Sequence, residues 1–569
     1  MRGWWILALA ISAPATADVY TVGSGAQCTH ANVQDAITAG LQNGNGLDVI
    51  NVARNRTYSA QALVVQNDTV VIQGGYADCS STSADPANPT VLSGAGGSAA
   101  AVVRVQGNGN VTLRNLVLRD GDSGSDGGGL AVVDGPHLIT LHNVQLQNNR
   151  AARGAGLAVS AATGTSVSVS LQLDSGIYSN IASSDGGGIY CRNATLSLIA
   201  DRGIIHSNSA RDGGGIYADQ CTLDLASGHP FGVLWNNQAT RNGGGVYAFG
   251  AAAITRLYSF AASTPTRVQA NRAEGRGGAL YSRDGADLEI QNVEFLTNSA
   301  SDVGAILIHG SGSTSGNDLS LSSSGLIAGA SGCPSGQICN RFVDNRSQVA
   351  GVTNTGVAAI ALQLDGNSAG RALLRGVLFD ANQGGSVVHS NIATQASGRL
   401  LDLANAAFVG NQVIGTQSAL VVGHALVLSF ISIAGNSVAG PSVLWGQDSI
   451  SVLQYLAAWQ PGKPLLLQTG GSVSSAFLIA NDLSGIPFVS SNLTADPGFV
   501  SASDLHLRRD ALALDYASST SVLVPDLAVD IEQRPRPVDD PLVANAYGAI
   551  DVGAFEASAD GLLQSGFEH

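Results

Sequence analysis

The sequence predicts an all-β chain wound as a right-handed parallel β-helix solenoid with an N-terminal cap, and three observations carry that prediction. The first is composition: Gly makes up 71 of 569 residues, charged residues only 12% and aromatics 5%. A disordered chain would carry far more charge, and a helical one would not hold so much Gly beside Val, Ser and Thr. The second is a glycine cluster followed by an aliphatic residue. It recurs at Gly127 (GGGL), Gly154 (GAGL), Gly186 (GGGI), Gly213 (GGGI), Gly243 (GGGV), Gly277 (GGAL) and Val303 (VGAI), at intervals of 26 to 34 residues. The third is a marker in step with it: Asn149, Asn180, Asn208, Asn237, Asn271 and Asn298, each followed two positions later by Ala. Phe379 with Asn382, Phe408 with Asn411 and Ile433 with Asn436 carry the count to about residue 440.

Each element follows from that repeat. A unit of this length with short β-branched runs and no 3.6-residue spacing excludes the common helical repeats. It also lacks the leucine framework of leucine-rich repeats and is too short for a propeller blade. What remains is one coil of short strands per unit, stacked one strand spacing above the last, with the right hand that parallel crossovers take. Glycine at a coil corner supplies positive φ or a missing Cβ, and the Asn is expected to sit left-handed at the corner and bond to its equivalents above and below. Ile189, Ile216, Val246 and Leu280 should then point inward and the residues after them outward.

The chain divides as follows. Residues 1–17 read as a secretory signal, with Arg2, an apolar run from Trp4 to Ile11, and Ala15-Thr16-Ala17 as the cleavage site. Residues 18–105 are the N-terminal cap and first coils, with an amphipathic helix near Val33 to Leu41; 106–480 are the repeats, 481–557 the C-terminal coils or cap, and 558–569 a tail. The apolar run Ala419 to Ile433 contains Gly423 and His424 and is rich in β-branched residues, so two buried strands are expected there and no transmembrane segment in the mature chain. Cys28 and Cys79, Cys191 and Cys221, and Cys333 and Cys339 are sequence neighbours for disulfides in an oxidising compartment, although spacing leaves the connectivity open. A net charge of −15 excludes nucleic acid as the expected partner, and Lys463 is the only lysine, which removes lysine as a general base.

The glycine and Phe-x-x-Asn pair resembles the repeats of polymorphic outer-membrane proteins and other right-handed β-helix proteins of the pectin-lyase-like type, over about residues 110 to 440. "YTVGSGAQCTHANVQDAI" (20–37) and "VVIQGGYADC" (70–79) resemble the first coils of bacterial members. "DPGFV" (496–500), "DLHL" (504–507), "ALALD" (511–515), "RPRP" (534–537) and "DVGAFE" (551–556) resemble the end of the choice-of-anchor Q family; Ala511-Leu512 departs from the Ser-Pro usual there. The final "LLQSGFEH" is similar to short tails of secreted Gram-negative proteins. The resemblance implies an extracellular or outer-surface location on a Gram-negative bacterium. The partner it implies is an extracellular polysaccharide or the surface of a host or neighbouring cell.

Two columns are candidates for function, because equivalent residues on adjacent coils lie about 5 Å apart. Tyr190, Tyr217, Tyr247 and Tyr281 would form an outward aromatic strip for stacking on sugars, or a ladder packed on itself. Asp126, Arg153, Asp185, Asp212, Asn242, Arg276 and Asp302 precede the glycines, where Asp and Asn serve turns. Within that column Asp185 and Asp212 are spaced to share a Ca²⁺ cofactor or to act as a retaining glycosidase pair. Enzymes of the resembled fold are polysaccharide lyases and hydrolases, but the Asn-Thr-Asp, Gly-His-Gly and Arg-Ile-Lys motifs of polygalacturonases are missing, and Asp539-Asp540 matches only as a dipeptide. The expectation is a non-catalytic secreted or surface protein for adhesion or glycan binding. The alternatives are a polysaccharide lyase or glycoside hydrolase, and a structural surface spacer.

Overall fold

The computed structural model describes residues 17–557 except 45, 136, 164–165, 201, 262–263, 312–315, 366–367, 393–398, 448–449 and 519–526. The signal segment up to Thr16 and the tail 558–569 therefore lie outside the described residues. One coil shows the plan: Thr195–Ala200 and Ile204–His206 lie on one wall, Ser209–Asp212 on a second, and Ile216–Asp219 on a third. Each strand pairs in parallel with its equivalent a coil later, so Ile189, Ile216, Val246 and Leu280 are in register. Repetition builds parallel sheets of 24, 14 and 11 strands, the last with one antiparallel member, around one apolar core: a parallel β-helix.

The repeat residues do what their spacing asks. Ile189, Ile216, Val246 and Leu280 are fully buried in the core. The aromatic three residues before each later Asn is also inward, and Phe295, Phe342, Phe379 and Phe408 stack at 4.7, 5.3 and 4.8 Å. The asparagines form a continuous internal ladder from Asn149 through Asn180, Asn208, Asn237, Asn271, Asn298, Asn345, Asn382 and Asn411 to Asn436. Each Nδ2 donates to the next Oδ1 at 2.9–3.1 Å. Asn345 is a rung hidden by the long insertion that precedes it.

The corner differs from the expected one in a single respect. The left-handed residue is not the Asn but the one before it: Ser179 (φ 57), Ser207 (φ 53), Asn236 (φ 53), Ala270 (φ 55) and Thr297 (φ 54). Turning the chain one residue earlier swings the Asn side chain into the interior, where its amide bonds offset the cost of a strained non-glycine backbone. The glycines divide their work. Gly213 has φ +61, whereas Gly214 has an ordinary φ and is glycine because a Cβ there would lie 2.5 Å from the Gln238 carbonyl carbon and 2.6 Å from the Gly244 oxygen, backbone atoms of the next coil. Gly214→Val should therefore cost roughly 1–3 kcal/mol through overpacking. The loss should appear as weakened amide protection on the coils at Gln238 and Gly244, and wild-type protection there would refute this account of the corner.

Both ends of the core are closed. The helix Val33–Asn43 lays Val33, Ala36 and Ile37 over the first coils, its left-handed Gly44 ending it, and Leu483 and Ile486 pack over the last coils. All three disulfides form between the sequence neighbours: Cys28–Cys79, Cys191–Cys221 inside the core, and Cys333–Cys339. The apolar run resolves into the strands Ala419–Gly423 and Leu426–Ala434. Among the described residues no helix is long and apolar enough to cross a membrane.

Beyond Leu493–Thr494 the chain leaves the coil path. It straps back along the outside of the wall formed by Arg399–Val409, Leu426–Ala434, Ile450–Trp459 and Ser472–Ala480. Outward Phe430, Tyr455 and Ile479 pack there against Phe499, Leu505, Ile531, Val552 and Phe555. The strap is tied to the wall by Ala554 N–H to Ser432 Oγ (2.9 Å) and Asn405 Nδ2 to the Val529 carbonyl (2.9 Å).

Candidate functional site

The tyrosine column assembles in register, Tyr190 beside Tyr217, Tyr247 and Tyr281. It is not the open strip expected of outward rings. Tyr190, Tyr247 and Tyr281 are only 3%, 4% and 3% exposed, and Tyr217 is half-buried. The first three rings stack on one another at 5.7 and 4.8 Å, and Tyr281 meets Tyr247 edge-on at 5.0 Å. Arginines from the neighbouring turn column lie across the hydroxyl ends: Arg153 sits 4.5 Å over the Tyr190 ring and donates to its hydroxyl at 3.1 Å. Burial raises the hydroxyl pKa of all four. Ring faces consumed by their neighbours have little left for a sugar.

The turn column is zipped by charge. Arg153 pairs Asp126 through two bonds at 2.7 and 2.8 Å, Arg276 reaches Asp302 at 3.3 Å, and Arg241 grips both Asp212 oxygens with Nε and Nη2. Asp185 and Asp212 are adjacent in the ladder, with Arg211 between them at 3.1 and 3.6 Å. Asp212 is also buried, not an exposed turn residue. A shared cation would have to displace two guanidinium groups that already neutralise the pair. Among the described residues no group of three or more His, Cys, Asp or Glu is arranged to hold a metal.

A different wall carries an accessible aromatic strip that sequence reasoning missed. Tyr178, His206 and Trp235 occupy equivalent outward positions at the ends of Gly176–Tyr178, Ile204–His206 and Leu234–Trp235. Tyr178 stacks on His206 at 4.8 Å, and His206 meets Trp235 at 5.4 Å. Burial among these rings pushes the His206 imidazole down to about 4, so it is neutral at physiological pH. Beyond them Phe231 projects from the loop between Ser227 and Val233. It stacks on Trp235 at 4.6 Å with an interplanar angle of 16°, yet is 48% exposed. One face rests on the indole and the His229 ring lies 5.7 Å away at 41°, which leaves about half of the residue exposed. Arg267 fixes the loop by donating to the Pro230 carbonyl (2.9 Å), and Glu294 holds that arginine at 2.8 Å. The available signal was an aromatic or His two residues before each Asn, at Tyr178, His206 and Trp235; the three different residue types concealed the column.

These features define the class, a parallel β-helix solenoid whose walls carry stacked side-chain columns. No family model matches the chain, and no curated protein matches it in sequence.

Proposed function

We propose that this is a secreted or cell-surface β-helix that binds an extracellular polysaccharide without cleaving it, through the wall bearing Tyr178, His206, Trp235 and Phe231. The observation that carries the reading is the Phe231 platform: a half-exposed aromatic ring, backed by an indole and held in place by a tied loop. Sugars present C–H faces to such rings, and a rigid platform costs little entropy on binding. Three disulfides fit an oxidising, extracellular setting. The resemblance to polymorphic outer-membrane proteins and to the choice-of-anchor Q family supports the outer surface of a Gram-negative bacterium as the location.

The test is a glycan array probed with the wild-type protein and with Phe231→Ala. Removing one stacking ring should weaken binding about two- to twelvefold, an aromatic contact of about 0.5–1.5 kcal/mol, while thermal unfolding stays unchanged. Binding of no glycan, or equal binding by the variant, would overturn the reading. An assay for new unsaturated uronate ends, run beside it, reads the lyase alternative; turnover lost in Asp185→Asn/Asp212→Asn would favour the enzyme.

A further inference from the structure

The tyrosine column does not stop at Tyr281. Its register continues through Leu307, Ala361, His389 and Val422 to Trp445. Leu307 and Ala361 are buried with the tyrosines, but at the next coils the wall opens into a cleft of about 500 Å³. His389, Val422 and Trp445 line its floor with Ser386, and Gln417 and Gln447 stand at its rim. One side is the loop Ile414 to Ser418. It is pinned by the Ile414 N–H to the Gly384 carbonyl at 2.8 Å, and closed on itself by Ser418 Oγ to the Gly415 carbonyl at 2.6 Å. The Trp445 indole is fixed by its Nε1 donating to Thr469 Oγ1 at 3.1 Å, and its neighbours in the column are the aliphatic Val422 and Leu467, so no ring of the column covers it.

The chemistry of the lining selects a ligand. No Asp, Glu, Lys or Arg is among the described residues that line the cleft. Burial, with His424 nearby as the smaller cause, holds the His389 imidazole down at about 4 against the weak opposing pull of Asp302. At neutral pH the described lining of the cleft is therefore uncharged. Its floor offers an indole, a valine and an imidazole side by side, with hydroxyls and carboxamides around them, so that apolar surface lies next to groups that both donate and accept. Its volume falls within the range of small-ligand sites, about 300–1,000 Å³. A carboxylate entering it would lose its hydration with no cation to replace it.

We propose that this cleft binds one uncharged sugar residue, its apolar face against Trp445 and Val422 and its hydroxyls bonded to His389, Ser386, Gln417 and Gln447. It lies on a different wall from the Phe231 platform and does not depend on it.

The experiment titrates the full chain with methyl glycosides of glucose, galactose, mannose and N-acetylglucosamine, and with methyl galacturonide at pH 7, reading tryptophan fluorescence. At least one neutral glycoside should give a saturable change in the millimolar range or tighter that vanishes in Trp445→Phe and persists in Phe231→Ala. Gln417→Ala/Gln447→Ala, whose rim positions leave the core untouched, should weaken it about tenfold, the loss expected for two hydrogen bonds of modest net worth. The galacturonide should give no change. Absence of a saturable signal with every neutral glycoside, its persistence in Trp445→Phe, undiminished binding by the rim variant, or equal binding of the galacturonide would each overturn the assignment. Loss of array binding in Phe231→Ala with the Trp445 signal intact would leave it standing.

Discussion

Arg536→Met is expected to release the C-terminal strap from the β-helix wall, at a cost of roughly 2–4 kcal/mol, because the buried acceptors that the guanidinium serves would be left without a donor. Arg536 and Glu556 are both fully buried and meet at 3.1 Å. The same guanidinium donates to Asn405 Oδ1 on the wall (2.6 Å) and to the carbonyls of Gly553 (3.0 Å) and Ala554 (2.9 Å), and lies 4.0 Å over the Phe430 ring. Glu556 can answer the loss by staying protonated; the amide oxygen and the two carbonyls have no such escape. Limited proteolysis should cut the variant within residues 495–557 while the coils before residue 480 stay resistant. Resistance equal to wild type would refute the clasp.

The same site sets a pH dependence. Burial raises the carboxyls of Asp530 and Asp515, and lifts Asp551 to about 7 and Glu556 to about 8; Asp515 adds to the rise of Asp551 and Asp551 to that of Glu556, while Arg536 opposes both. His506, bonded to Glu532 and Asp504, is raised to about 8. In every case the folded state holds its proton more tightly than the unfolded one. Strap stability should therefore be fullest below about pH 4, begin to fall as pH rises past the unfolded carboxyl values, and be largely lost above about 8. Proteolytic susceptibility of the strap measured from pH 5 to 9 should rise with pH.

The second large effect is expected at Asn237→Ala. Asn237 Oδ1 accepts from the Asn208 N–H (3.2 Å) and Nδ2 (3.0 Å), and its own Nδ2 donates to the Ile205 carbonyl (2.9 Å) and Asn271 Oδ1 (3.0 Å). Truncation strands several polar groups in a water-free interior, each worth about 1–3 kcal/mol, so a total of roughly 2–4 kcal/mol after relaxation is expected. Because coils contact only their neighbours, hydrogen exchange should lose protection around Asn208 and Asn271 and keep it around Asn382 and Asn411. A uniform loss along the chain would mean that the ladder acts globally instead of coil by coil.

The C-terminal motifs show how far local reading goes. Arg536 in "RPRP" and Glu556 in "DVGAFE" are 20 residues apart, and nothing in either motif names the other. Their pairing depends on the strap folding back across Phe430 and Asn405, more than 100 residues earlier. For that reason the segment read as further coils or a cap lies along the outside of the wall.

By itself the sequence determined the solenoid, its inward column at Ile189, Ile216, Val246 and Leu280, and the Asn ladder, while it left the connectivity of the cysteines open. A repeating coil places equivalent residues in contact whatever else the chain does, so the period alone reports them. What only the tertiary structure decided was which outward columns are open. The tyrosines cover one another, with Arg153 over Tyr190, Phe231 stays half-exposed on a tied loop, and the column reopens at His389 and Trp445 where small side chains and a pinned loop leave space. Exposure is set by what neighbouring turns and loops lay over a wall, and those are the parts of each coil that do not repeat.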